Sequence, residues 1–232
     1  MSQPIFNQVC LDPTIINGVY NCCDQWCMYC PTTERCLAYR CSPDIQSGKQ
    51  DIHKALADRL YEGMAFLKTL SDAEGISTPE LDALFSNDPR QWKMVPQIDD
   101  PLERSARRYA RLGAAYLLSR DDYPFEMRRR PSGPTPFEVF AWFRALIAVK
   151  LYRALICSAA VARGDASRSD DEQISAKVAL IGIDRSLDAL ASMAADDEDA
   201  RLGLLLAQLR RVKREAEARF PLARRFHREG LD

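Results

Sequence analysis

Seven of the eight cysteines in this 232-residue chain, Cys10, Cys22, Cys23, Cys27, Cys30, Cys36 and Cys41, fall between residues 10 and 41. The eighth, Cys157, stands alone in an apolar run. The amino terminus has no basic stretch leading into a continuous apolar one, so no secretory signal is expected and the chain is expected to be cytoplasmic. In a reducing compartment a dense thiol run points to a metal or cluster site more than to a disulfide framework. The segment around it is rich in turn formers, including Asp12-Pro13, Asn17-Gly18, Cys30-Pro31 and Ser42-Pro43. Residues 1–47 are therefore expected to form a loop-rich cysteine module, too small to bury a useful core without a metal or a larger body.

Thiolates that share one inorganic centre must converge within a few ångströms, and short spacers alternating with a turn achieve this most easily. The run Cys23-x3-Cys27-x2-Cys30-Pro31-x4-Cys36 has that form. Its middle pair supplies a tight knuckle, Pro31 redirects the chain, and Cys36 returns as a fourth ligand. Cys41, one short spacer further on, is an alternate ligand. Cys22 is not expected to join Cys23 on one metal, because adjacent side chains diverge, and Cys10 is remote.

The segment Cys27-x2-Cys30-Pro31-x4-Cys36-x4-Cys41 resembles the C-x2-C-P-x4-C-x3-C segment of SPASM-type domains in radical SAM proteins. With Cys23-x3-Cys27-x2-Cys30, which resembles the spacing of the radical SAM cluster itself, the resemblance spans about twenty residues from Cys23 to Cys41 and implies a [4Fe-4S] cluster of the auxiliary kind. Radical SAM catalysis is not implied, since no βα repeat or glycine-rich strand set accompanies it. The whole chain, with its stretch from Asn21 to Cys36 and its helical body, also resembles a bacterial protein family without an assigned function. From the residues alone zinc remains open as the alternative, because four thiolates suit Zn(II) equally well. Net charge does not separate the two: four thiolates around Zn(II) or an oxidised cubane both leave about -2.

Beyond the module the pattern turns helical, and residues 48–232 are expected to fold as an all-α body, an antiparallel bundle of four or five helices. A first helix is expected after Asp51 and a short one from Thr78. A second long helix opens at Asp99 or Asp100 with Pro101 at its first position, and its inner stripe is Leu102, Ala106, Tyr109, Gly113, Tyr116 and Leu117. Thr135-Pro136-Phe137-Glu138 reads as a capping box for a third helix that is apolar nearly all round. Arg144, Lys150 and Arg153 interrupt that run, so a buried helix is expected rather than a membrane span. Ala176, Leu180, Ile183, Leu187, Leu190 and Ala194 mark the fourth helix, and Leu202, Leu205, Leu206, Leu209, Val212 and Ala216 the last, which ends before Pro221. Lys150 or Arg153 is expected to pair with Asp184 between helices.

Other chemistries lack their residues. The two histidines, His53 and His227, have no glutamate three positions earlier, so a ferritin-like di-iron site is excluded. No G-x-S-x-G elbow or glycine-rich phosphate loop occurs. With 32 Lys+Arg against 33 Asp+Glu the net charge is -1, and no global field draws the chain to nucleic acid. The basic stretch from Arg201 to Asp232, nine cations against four anions, reads as a solvated helix face. The expected function is thus an iron-sulfur protein with a redox, sensing or accessory role beside a protein partner. The alternative is a zinc-stapled helical interaction protein.

Overall fold

The computed structural model describes residues 12–16, 18–41, 98–120 and 130–231. Cys10, His53, Arg128, Arg129 and the helices expected after Asp51 and from Thr78 lie outside the described residues. The chain divides into two compact units, one joining residues 1–41 to 98–232 and the other spanning 42–97. The cysteine segment thus belongs to the same unit as the long helices. The account below concerns that unit.

Among the described residues the fold is all-α. Two single-turn helices lie in the cysteine segment, α1 (Val19–Cys22) and α2 (Leu37–Arg40), and four long ones follow: α3 (Pro101–Leu118), α4 (Pro136–Ala162), α5 (Ser169–Asp196) and α6 (Ala200–Arg219). Three of the four long helices, α3, α4 and α6, start where a side chain caps otherwise unpaired amides. Asp100 accepts from the Leu102 amide at 2.8 Å, with Pro101 opening the helix. Thr135 and Glu138 form the reciprocal capping box of α4. Asp199 accepts from the Arg201 amide at 2.9 Å at the start of α6.

The four long helices pack in a closed order, α4 on α5 and α3, α6 on α5 and α3. The expected stripes face inward. Leu102, Ala106, Tyr109, Tyr116 and Leu117 of α3 are buried, as are Ala176, Leu180, Ile183 and Leu190 of α5 and Leu202, Leu205, Leu209, Val212 and Ala216 of α6. Each such aliphatic or aromatic side chain contributes about 1.5–3 kcal/mol on burial. Two glycines set how closely α4 can approach its neighbours. A Cβ on Gly113 would stand 3.1 Å from Phe140, and one on Gly182 would stand 2.8 Å from Phe143.

Helix α4 is long and apolar enough to cross a membrane by length and composition, with a third of its apolar window buried inside the protein. It is not covered all round: Val149 is exposed, while Phe140, Phe143, Ile147 and Leu151 form its inner face. The charges near this helix pair differently from the sequence expectation. Arg153 bonds Asp171 at 3.0 Å, Lys150 turns to the cysteine segment, and Asp184 is held by Lys213 at 2.7 Å and Arg224 at 2.8 Å. Asp184 sits on the face of α5 that meets α6 and the carboxyl-terminal tail, so the cations of α4 do not reach it.

That tail also clasps the cysteine segment. Lys177 donates to the Phe226 carbonyl at 2.7 Å, Arg35 pairs with Glu229, and Gly230 lies so close to Val19 that a Cβ there would be 2.7 Å from its Cγ2. Gly230 has φ +88°, a conformation other residues adopt only with strain.

Candidate functional site

The cysteine segment is held to the long helices by one aromatic side chain and three polar contacts. Trp26 is 4 % exposed and belongs to the main core. Its ring stacks on Trp142 of α4 at 5.3 Å between centroids and 9° between planes, and meets Tyr29 and Phe143 edge-on. Trp142 Nε1 donates to the Asp24 carbonyl at 3.0 Å, Lys150 Nζ donates to the Cys22 carbonyl at 2.8 Å, and Arg185 of α5 bonds the Asp24 carboxylate at 3.2 Å. The backbone on both sides of Cys23 is therefore fixed by groups more than a hundred residues away in sequence.

Within this frame the chain turns sharply. Gln25 has φ +58°, and no other non-glycine residue among those described has a positive φ. Left-handed backbone is unfavourable for a residue with a Cβ and recurs where a site dictates the conformation. Here the turn aims the Gln25 amide at the Cys23 sulfur, 3.4 Å away, and the Asp24 carboxylate accepts from the Trp26 amide at 3.1 Å. Residues Cys27–Tyr29 then form one 3-10 turn and Thr33–Arg35 another. The first brings the Cys30 amide to the Cys27 carbonyl at 3.3 Å, the tight knuckle expected from the C-x2-C spacing, and the Cys30 sulfur lies 3.2 Å from the Thr32 hydroxyl.

Cys23, Cys27, Cys30 and Cys36 all line one cavity of about 20 Å³, together with Asp24, Trp26, Thr32 and Tyr39. These are the four residues named as ligands from spacing. Cys41 is not on that lining. Helix α2 carries it to a separate apolar cluster with Ile15 and Leu37. Cys22 is also turned away, its thiol directed at the Gly18 carbonyl at 3.5 Å. Cys157 is buried on α4. Cys22, Cys23, Cys27, Cys30, Cys36 and Cys157 carry free thiols.

Burial pushes the Cys27 thiol up to about 12, and the neighbouring Cys23, Cys36 and Cys30 sulfurs act in the same direction. Burial likewise pushes Cys23 up to about 11, against the Gln25 amide, which favours the thiolate. Mutual repulsion of this kind reflects the proximity of the sulfurs. Among the described residues no group of three or more cysteine, histidine or carboxylate side chains has the arrangement for a single metal ion.

One polar atom on this lining residue set lacks a partner. Trp26 Nε1 is buried and has no hydrogen-bond acceptor. An unsatisfied buried donor is destabilising by about 1–3 kcal/mol. Spacing alone could not flag Trp26; its signal was its position next to Cys27. In comparisons with family models, curated proteins and solved structures, nothing matches this chain.

Proposed function

We propose that the protein is an iron-sulfur protein in which Cys23, Cys27, Cys30 and Cys36 hold a [4Fe-4S] cluster for a redox or sensing role beside a protein partner in the cytoplasm. The observation that carries this reading is that those four thiols, and no other cysteine among the described residues, line one cavity. Three further features support it. Orphaned Trp26 Nε1 suits an occupant rich in sulfur acceptors. The Gln25 amide already bonds the Cys23 sulfur, the kind of outer contact that orients a thiolate ligand. Lys150 and Arg185 supply positive charge beside a centre whose ligands are anionic.

Zinc is the second reading. Zn–S bonds of about 2.3 Å put tetrahedral sulfurs roughly 3.8 Å apart, and among the described residues no three candidate side chains form a group that could hold a metal ion, which favours neither centre. A cubane carries its irons at separate corners and so accepts thiolates set wider apart. The volume of about 20 Å³ argues for zinc, being the room for one small occupant. The cluster reading therefore rests on the sequence pattern, four thiols in one short stretch with Pro31 directly after Cys30, rather than on the cavity's size. A bound cluster would supply one-electron chemistry, and the chain's part is to hold it with thiolates, shield it with Trp26 and Tyr39, and fix it against α4 and α5.

The test is metal retention in single variants of the full chain, purified without oxygen. Cys27→Ser and Cys30→Ser each lose the metal, while Cys157→Ser and Cys41→Ser keep it. Full retention by the Cys27 variant removes this assignment.

A further inference from the structure

Lys150 has no evident reason to be where it is. It lies midway along α4, is 5 % exposed, and gives one hydrogen bond, to the neutral Cys22 carbonyl. Among the described residues no carboxylate is in ion-pair contact with it, and Asp24, whose charge acts on it, is engaged by Arg185. An ammonium group withdrawn from water needs an opposite charge to offset its lost hydration, and a carbonyl dipole does this incompletely. With Asp24 so engaged, the other nearby groups whose charge acts on Lys150 are the thiols, Cys23 first, which follows the carbonyl that Lys150 holds.

We propose that Lys150 is the counter-charge of the cysteine centre: a positioning residue whose buried ammonium offsets the net negative charge of four metal-bound thiolates. This rests on the reading that the four cysteines bind a metal or cluster. Four thiolates around a core of charge +2 leave about -2, and in a water-poor site each unit of that charge is unfavourable unless matched. Lys150 matches one unit from the bundle side, across the module's own backbone, so metal affinity and the seating of the module on α4 are linked through one side chain. The linkage has a sign. With thiols protonated, Lys150 is an unmatched buried cation and weakens the fold; with thiolates metal-bound it strengthens the site.

Opposite effects in the two states separate this role from that of a simple strut. The experiment uses the full chain made metal-free, then loaded under anaerobic conditions with Zn(II) alone or with Fe(II) and sulfide. Lys150→Met removes the charge while keeping much of the stem volume. Its metal-free form melts at or above the wild-type temperature, while its Zn(II) affinity and retained iron fall by about tenfold to a hundredfold. Lys150→Arg, which restores the cation, recovers most of the affinity. In the iron-loaded protein the Met variant also has a more negative reduction midpoint, a readout that loss of packing would not move in a defined direction. Wild-type affinity in Lys150→Met overturns the counter-charge role while leaving the metal site standing. Equal destabilisation of the metal-free and loaded forms overturns it too, since that is the behaviour of a strut. A wild-type chain that takes up neither metal fails at the earlier step and removes the centre together with this role.

Discussion

Replacing Trp26 by alanine tests whether the cysteine segment is part of the core or an appendage on it. The ring is 4 % exposed, and a tryptophan in that state removes about 200 Å² from water. At about 25 cal/mol per Å² this is roughly 5 kcal/mol, an upper figure because the unfolded chain already hides some of that surface. The stack on Trp142 and the edge contacts with Tyr29 and Phe143 add to it, at about 0.5–1.5 kcal/mol per pair. Against these stands the unpartnered Nε1, whose removal returns about 1–3 kcal/mol. The net is about 3–5 kcal/mol of destabilisation, within the usual range for a large aromatic truncated to alanine. For a chain of this size that lowers the melting temperature by about 6–15 °C. The assay is thermal unfolding followed by circular dichroism at 222 nm, which reports the long helices rather than the cysteine segment. A fall of less than about 3 °C would mean that the helices do not depend on Trp26 and that the segment only rests on them.

Two glycines in long helices should respond oppositely to alanine. Gly182→Ala places a Cβ 2.8 Å from Phe143, so overpacking of about 1–3 kcal/mol outweighs the gain in helix propensity of roughly 1 kcal/mol; Gly203→Ala meets nothing within 4 Å and stabilises by up to about 1 kcal/mol. Urea denaturation checks both, and stabilisation by Gly182→Ala would contradict the close approach of α4 and α5. Burial alone would raise the Asp184 carboxyl, but the bonds from Arg224 and Lys213 prevail and hold it below its ordinary value of 3.8. Its stabilising contribution is thus present above that pH and is lost as the pH falls through the depressed folded-state value. With the side chain 38 % exposed, solvent screening limits the effect to about 1 kcal/mol or less. Asp184→Asn should therefore melt a few degrees lower than wild type at pH 6 and converge with it at strongly acid pH; an unchanged difference at both would show that the charge is not responsible.

Local signals account for most of the helices. Asp100 with Pro101, the Thr135–Glu138 box and the stripes of α3, α5 and α6 are each contained within a few turns of chain, so spacing and capping chemistry suffice to find them. The four cavity-lining cysteines were legible for the same reason, since short spacers limit how far thiols can separate. What spacing does not contain is the choice among equally near candidates. Cys41 has a suitable spacer, yet the helical turn of α2 points it toward Ile15 and Leu37. Partners distant in sequence were also hidden. Nothing around Lys150 announces Cys22, 128 residues away, and nothing near Trp26 announces Trp142, so the expected pairing of α4 cations with Asp184 gave way to contacts with the module and with Asp171. The long-range contacts that place the cysteine segment in one unit with the long helices likewise leave no mark on composition.

The most direct measurement is the metal and sulfide content of the native chain, purified without oxygen, alongside its absorption spectrum. The account predicts a brown protein with about four irons and four sulfides per chain and broad absorbance at roughly 400 nm, bleached by a reductant. A colourless protein with about one zinc per chain would replace the cluster with the second reading, and a chain free of both metals would contradict the claim that these four thiols share an inorganic centre.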